Sequence, residues 1–167
     1  DMGIGQTFFP LVYLRLQRQR MRLLDVRSGR EIDDIPQLAL GQNAQGRKVV
    51  QAVGRTASAT ALPANCQLVN GFDHPRVLIA DFAIAEATLK FFLKMLYEKK
   101  CFKIAPKIVV HPLDNFEGGL STLEWRALRE LCMGAGARQV ILWSGPELSA
   151  EQILSHHWNR AFEVVLE

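Results

Sequence analysis

The sequence predicts an α/β domain: one mixed sheet with helices on its faces and a smaller subdomain inserted in it. Three observations carry this. Residues 11–40 hold short period-two stretches separated by turns. Residues 81–150 alternate amphipathic helical stretches with short apolar runs. The region between them, 41–80, is weakly patterned and polar in places. With 167 residues, 49% of them hydrophobic, the chain fits one domain with a real core.

Val12, Leu14 and Leu16 alternate with Tyr13 and Arg15, which is the period of a strand. The phase flips across Gln17–Gln19, after which Met21 and Leu23 are apolar and Arg20 and Arg22 polar. A tight hairpin produces that flip. The "RSGR" stretch, Arg27 to Arg30, reads as a second turn, and "EIDDIPQLAL" as a third strand with Pro36 at an edge or bulge. The chain therefore opens with an antiparallel three-strand meander.

The insert, 41–80, begins with a polar loop from Gly41 to Lys48. A short strand, "VVQAVG", and a small-residue helix, "RTASATALP", follow. Extended pieces broken at Asn70-Gly71 and His74-Pro75 complete it.

Asp81 is placed to cap a long helix, Phe82 to Lys99, whose apolar stripe includes Ala85, Leu89, Phe92 and Leu96. Lys94, Lys99 and Lys100 lie toward its C-terminal end, where the helix dipole favours cations. "KIVVH" reads as a buried parallel strand. Ser121 and Glu124 form a capping box for a helix that stops at Gly134 and Gly136. "RQVILW" is a second buried strand, Ser149 opens a last helix to Trp158, and "AFEVVLE" reads as a final strand. Three antiparallel strands followed by parallel βα units is the ribonuclease-H-like arrangement.

The net charge of +3 is mild and neither demands nor excludes an anionic partner. Cys66, Cys101 and Cys132 are too few and too scattered for a disulfide framework and read as buried thiols of a reducing compartment. No apolar run is long enough for a membrane span, and the start "DMGIGQTFFPL" lacks a signal-peptide pattern. Residues 1–10 read as an N-terminal extension, with "TFFPL" packing on the core or touching a membrane. The rest, 11–167, reads as one domain.

Four arginines, Arg15, Arg18, Arg20 and Arg22, crowd into "YLRLQRQRMRL". They read as a solvated hairpin face, as an anion contact toward nucleic acid or lipid, or as a protein interface. Only Tyr13 interleaves with them, which disfavours stacking on single-stranded nucleic acid. His111, Asp114 and Glu117 can be drawn as an acid–base cluster or metal site, but HxxDxxE lies on a Pro- and Gly-containing loop, and no metal is assigned. His156 and His157 are expected on opposite faces of a helix turn, at the surface. "GRTASATA" lacks the GKS/T ending of a P-loop.

Four segments, in order, resemble the bacterial actin MreB family: "EIDDIPQLAL", "KVVQAVGRTASAT", "GFDHPRVLIADFAIAEATLKFFL" and "STLEWRALRELCMGAGARQVILWSGPELSA". The resemblance spans about residues 11–150 and implies the first half of an actin-like fold, a core subdomain with its small insert. In that family two halves flank a cleft for Mg-ATP. The first half supplies a phosphate loop, "DLGTANT", between its first two strands, with an Asp that helps organise the metal. Here the Asp position falls on about Arg15, and the Gly and Thr positions on about Gln17 and Arg18. A carboxylate has become a cation, and the glycine that lets backbone approach a phosphate is gone.

The resemblance also implies two weak catalytic candidates. Glu124 sits where the family keeps a water-positioning glutamate, and Asp81 matches the Asp of the family's "IADF". Against these stand their capping roles. The resulting expectation is a cytoplasmic, non-catalytic, cell-shape-related interaction module without a bound cofactor. It would engage a protein partner or a second copy of itself, as in a homodimer, with peripheral contact at the inner membrane and no nucleic acid. The alternative is one half of an ATPase using ATP and Mg, completed in trans. A further alternative is anion binding through the arginine hairpin.

Overall fold

A computed structural model describes residues 9–59, 62–98 and 104–167. The main sheet has six strands. In chain order they are β1 (Leu11–Gln17), β2 (Arg20–Asp25), β3 (Glu31–Asp34), β7 (Lys107–Pro112), β8 (Gln139–Trp143) and β9 (Glu163–Val164). Their spatial order is β3-β2-β1-β7-β8-β9. β1, β7 and β8 are parallel, and the outer strands pair antiparallel. The expected meander and parallel βα units are both present. The two-residue turn Arg18–Gln19 closes the first hairpin, with Gln17 opposite Arg20.

A second sheet of three antiparallel strands holds β4 (Leu38–Gln42), β5 (Lys48–Val53) and β6 (Gln67–Val69), in the order β5-β4-β6. It opens at Leu38, ahead of the Gly41 boundary expected for the insert. "EIDDIPQLAL" is therefore not one strand. Its first four residues belong to the main sheet and its last to the small one. Pro36 has no N–H to donate, so the ladder cannot run through it. The buried Gln37 side chain secures the crossing by donating to the Gly54 carbonyl and the Ser58 hydroxyl, both at 2.9 Å. α1 (Arg55–Ala59) follows β5. Thr60 and Ala61 lie outside the described residues, and Leu62 and Pro63, the end of the expected helix, are not helical.

α2 (Phe82–Leu96) starts where Asp81 accepts the Ile84 N–H at 3.0 Å. Ala85, Leu89, Phe92 and Leu96 are buried against the main sheet as the stripe predicts. Lys94 lies in the last turn, while Lys99, Lys100 and Cys101 are outside the described residues. α3 (Thr122–Gly134) carries the full Ser121–Glu124 capping box. α4 (Ala150–Leu154) is shorter than expected. Ser149 and Gln152 cap it in the same way, but Ser155 turns its hydroxyl back onto the Glu151 carbonyl at 2.8 Å. His156 then adopts φ 53°, which ends the helix. His156 and His157 thus lie beyond a helix rather than on its two faces. The final strand is only Glu163–Val164.

The alternation in β1 sorts its side chains between two cores. Val12, Leu14 and Leu16 face α2 and α3, with Leu89, Phe92, Ile108, Leu128 and Leu131. Leu11 and Tyr13 face the other side, with Val109, Trp143, Leu148 and Ile153 of the α4 region. Cys132 is fully buried, and burial pushes its thiol up to about 12. No helix among the described residues is long and apolar enough to cross a membrane.

Candidate functional site

Because β1 and β7 run parallel, the Arg18–Gln19 turn and the loop after Pro112 emerge at the same end of the sheet. The Leu113 N–H donates to the Leu16 carbonyl at 2.9 Å and holds the two together. Beside them, at the C-terminal ends of β7 and β8, lies a cleft of about 340 Å³. His111, Asp114, Trp125, Ser144 and Glu147 are among its lining residues. Strand C-termini are where α/β sheets place ligands.

His111 and Tyr13 form the buried wall of this region. The Tyr13 hydroxyl donates to His111 Nδ1 at 2.7 Å and accepts the Leu148 N–H at 3.1 Å. Burial holds the imidazole below its usual pKa, and it raises that of Tyr13. A hydrogen bond with the Gly145 backbone also acts on the imidazole, in the raising direction. His111 is thus a buried, hydrogen-bonded ring whose charged form burial disfavours. Asp114 lines the same cleft, but Glu117 is exposed outside it. Among the described residues no three His, Cys, Asp or Glu side chains are grouped to hold a metal ion.

Each of the four hairpin arginines meets a carboxylate of the chain. Arg15 and Arg22 share Glu147, at 3.7 and 3.0 Å, and Arg15 also meets Glu31 at 3.3 Å. Arg20 grips Asp33 with two bonds, at 2.9 and 2.6 Å, which hold that carboxyl below the usual range. Arg18 pairs with Asp73 of the insert, helped by Gln19. The Arg18 N–H donates to Asp114 at 2.7 Å, and its carbonyl accepts from Asn70 at 3.0 Å. The hairpin tip is therefore anchored on both the insert and the loop after β7.

Glu124 and Asp81 do not line the cleft, although Trp125 does. Glu124 Oε1 accepts from the Ser121 backbone at 3.2 Å, while its buried Oε2 has no partner. Sequence reasoning missed Glu147, Asp73 and Tyr13. Glu147 lies 125 positions from Arg22, so no local pattern links them. The one available signal was indirect: half-buried guanidiniums require carboxylates from somewhere.

With this geometry in view, the comparisons with known proteins agree on one family. The family model described as MreB/Mbl protein matches residues 36–151. The cell shape-determining protein MreB of Escherichia coli K12 is 32% identical over 153 residues, and that of Haemophilus influenzae 29% over 151. Each match covers 90% of this chain and 38% of the relative, so the chain spans well under half the length of the curated proteins it resembles. Crystal structures of MreB5 of Spiroplasma citri, one bound to ADP and one to AMPPNP, share the fold. Their TM-scores are 0.61 and 0.56, at 19% and 18% identity. They cover 82% of this chain, which in turn spans 38% and 39% of them.

Proposed function

The chain belongs to the MreB/Mbl family, and on that premise we propose that it is a cell-shape cytoskeletal component that acts by contact and not by nucleotide hydrolysis. Its partner is another protein or a second copy of itself, and its place is the cytoplasm, at times against the inner membrane. The observation that carries this reading is the occupied hairpin tip. A phosphate loop must present free backbone N–H groups, and here the Arg18 N–H is already given to Asp114 at 2.7 Å. Arg15, near the position where the family's phosphate loop has its Asp, is a cation and has no capacity to bind Mg²⁺. Asp114 lines the cleft, and its carboxylate repels a polyphosphate.

A second reading makes the chain one half of an ATPase completed by another. Its motive is the unpartnered Oε2 of Glu124 at the start of α3, together with the nucleotides named for the two MreB5 structures.

Calorimetry with Mg-ATP, run beside light scattering for mass, separates the two. The contact reading expects no heat at millimolar nucleotide and a mass above that of one chain. Micromolar binding overturns it, and Glu124→Gln then tests the second reading through loss of hydrolysis.

A further inference from the structure

Three groups at the wall of the cleft form one directed chain of hydrogen bonds. The Leu148 N–H donates to the Tyr13 oxygen at 3.1 Å, and the Tyr13 hydroxyl donates in turn to His111 Nδ1 at 2.7 Å. The chain joins β1, the end of β7 and the loop that leads into α4. Residues 144–148 of that loop belong to no strand or helix. Ser144, Gly145 and Glu147 line the cleft from it, and the Trp143 indole N–H donates to its Pro146 carbonyl at 2.8 Å.

The direction of this chain depends on the imidazole. Nδ1 accepts only while it carries no proton, and a protonated ring donates from both nitrogens. The Tyr13 oxygen then faces two donors, while its own proton loses its acceptor. Tyr13 is buried, and a buried hydroxyl stripped of its acceptor is costly. The new charge also meets cations. Arg15 is the register partner of His111, and its guanidinium lies 5.1 Å from the centre of the Tyr13 ring. Burial is the strongest influence against a charged imidazole, and Arg15 and Arg22 add to it, while the Gly145 backbone and Glu147 act the other way.

We propose that protonation of His111 releases the Leu148 end of this loop, so that the Tyr13–His111 pair is an acid-operated latch on the wall of the cleft. Protons have a route to the ring, because His111 is among the residues that line the cleft. Release lets water solvate the imidazolium and lets the Tyr13 hydroxyl turn to a new acceptor. Glu147 sits beside Leu148 on the same loop, so its pairing with Arg15 and Arg22 loosens with it. The latch works in the same way whatever the cleft holds, so it stands or falls apart from the contact reading.

The test is native-state hydrogen exchange with imidazole NMR on the whole chain, on both sides of pH 6.5, each rate corrected for the intrinsic pH dependence of exchange. The open loop leaves the ring free to take a proton, so opening grows as pH falls through 6.5. The Leu148 amide should then lose about tenfold of its protection, the worth of one hydrogen bond, while the Leu128 amide of α3 keeps its own. The Trp143 indole N–H should shift with the midpoint of the His111 ring. Tyr13→Phe keeps the ring and removes the hydroxyl, so its Leu148 amide should be weakly protected, and equally so at every pH. His156 lines a separate cleft, and its own resonance keeps its titration apart. Full protection of Leu148 through the His111 titration overturns the proposal. So does a pH dependence that survives in Tyr13→Phe, or an equal loss at Leu128, which would mark unfolding of the whole domain.

Discussion

Arg15 and Arg22 stand directly opposite each other on β1 and β2, and one carboxylate oxygen of Glu147 lies within 4 Å of both guanidiniums. Two like charges at paired sheet positions repel unless a third group intervenes. Each arginine side chain is only 15% exposed, and the Nε of each is buried without a partner. The loop before α4 is thereby tied to the first hairpin by charge.

Removing that charge should loosen the tie. Glu147→Gln is expected to cost about 1–2 kcal/mol, a modest value because Glu147 is itself half exposed and screened. A urea melt measures it. Arg22→Met in the same background should restore part of the loss, since it removes the repulsion that Glu147 had offset.

His111 should make the fold sensitive to mild acid. Its folded pKa is lower than the ordinary 6.5, so between the two values the unfolded chain binds more protons than the native one. Stability is then unaffected well above pH 6.5 and falls as pH drops through 6.5 toward the folded value. His156 is shifted in the same direction and adds to the effect. Melts of the native chain and of His111→Gln across this window should differ in slope, with the variant flatter. Imidazole resonances assign the two histidines separately.

Gly71 should tolerate no side chain. Its carbonyl accepts the N–H groups of Ala80 and Asp81, at 2.7 and 3.1 Å, where the insert returns to α2. A Cβ there would meet the Ala85 nitrogen at 2.5 Å and the Asp81 carbonyl oxygen at 2.7 Å, both backbone atoms unable to turn aside. Gly71→Ala is expected to cost about 3 kcal/mol, read as a lowered thermal midpoint.

What the sequence made legible was local. The flip of phase between Leu16 and Met21, the two Ser caps and the apolar run of "KIVVH" each report on neighbours within a few positions, and each element is where it was expected. The split of "EIDDIPQLAL" was harder to see, because both halves are extended and only their partners differ. The final helix was overestimated because Trp158 follows Leu154 at a helical spacing of four, although Trp158 in fact packs edge-on against Trp143. The arginines of the hairpin were visible, but their carboxylates were not. Such pairs are chosen by the fold and leave no mark on the spacing of residues along the chain.

The pairing of β1 with β7 also has a consequence for how the chain is made. Leu11 takes its parallel partner at Lys107, so one edge of the central strand stays open until the ribosome has delivered nearly the whole intervening sequence. At bacterial elongation speeds of roughly 5–20 residues per second, that wait lasts about 5 to 20 seconds. During it, the early meander exposes the ladder of β1 and the apolar row Val12, Leu14 and Leu16, a combination that invites pairing with other nascent chains. Yield in the cell should therefore depend on translation speed and on chaperones that hold this edge.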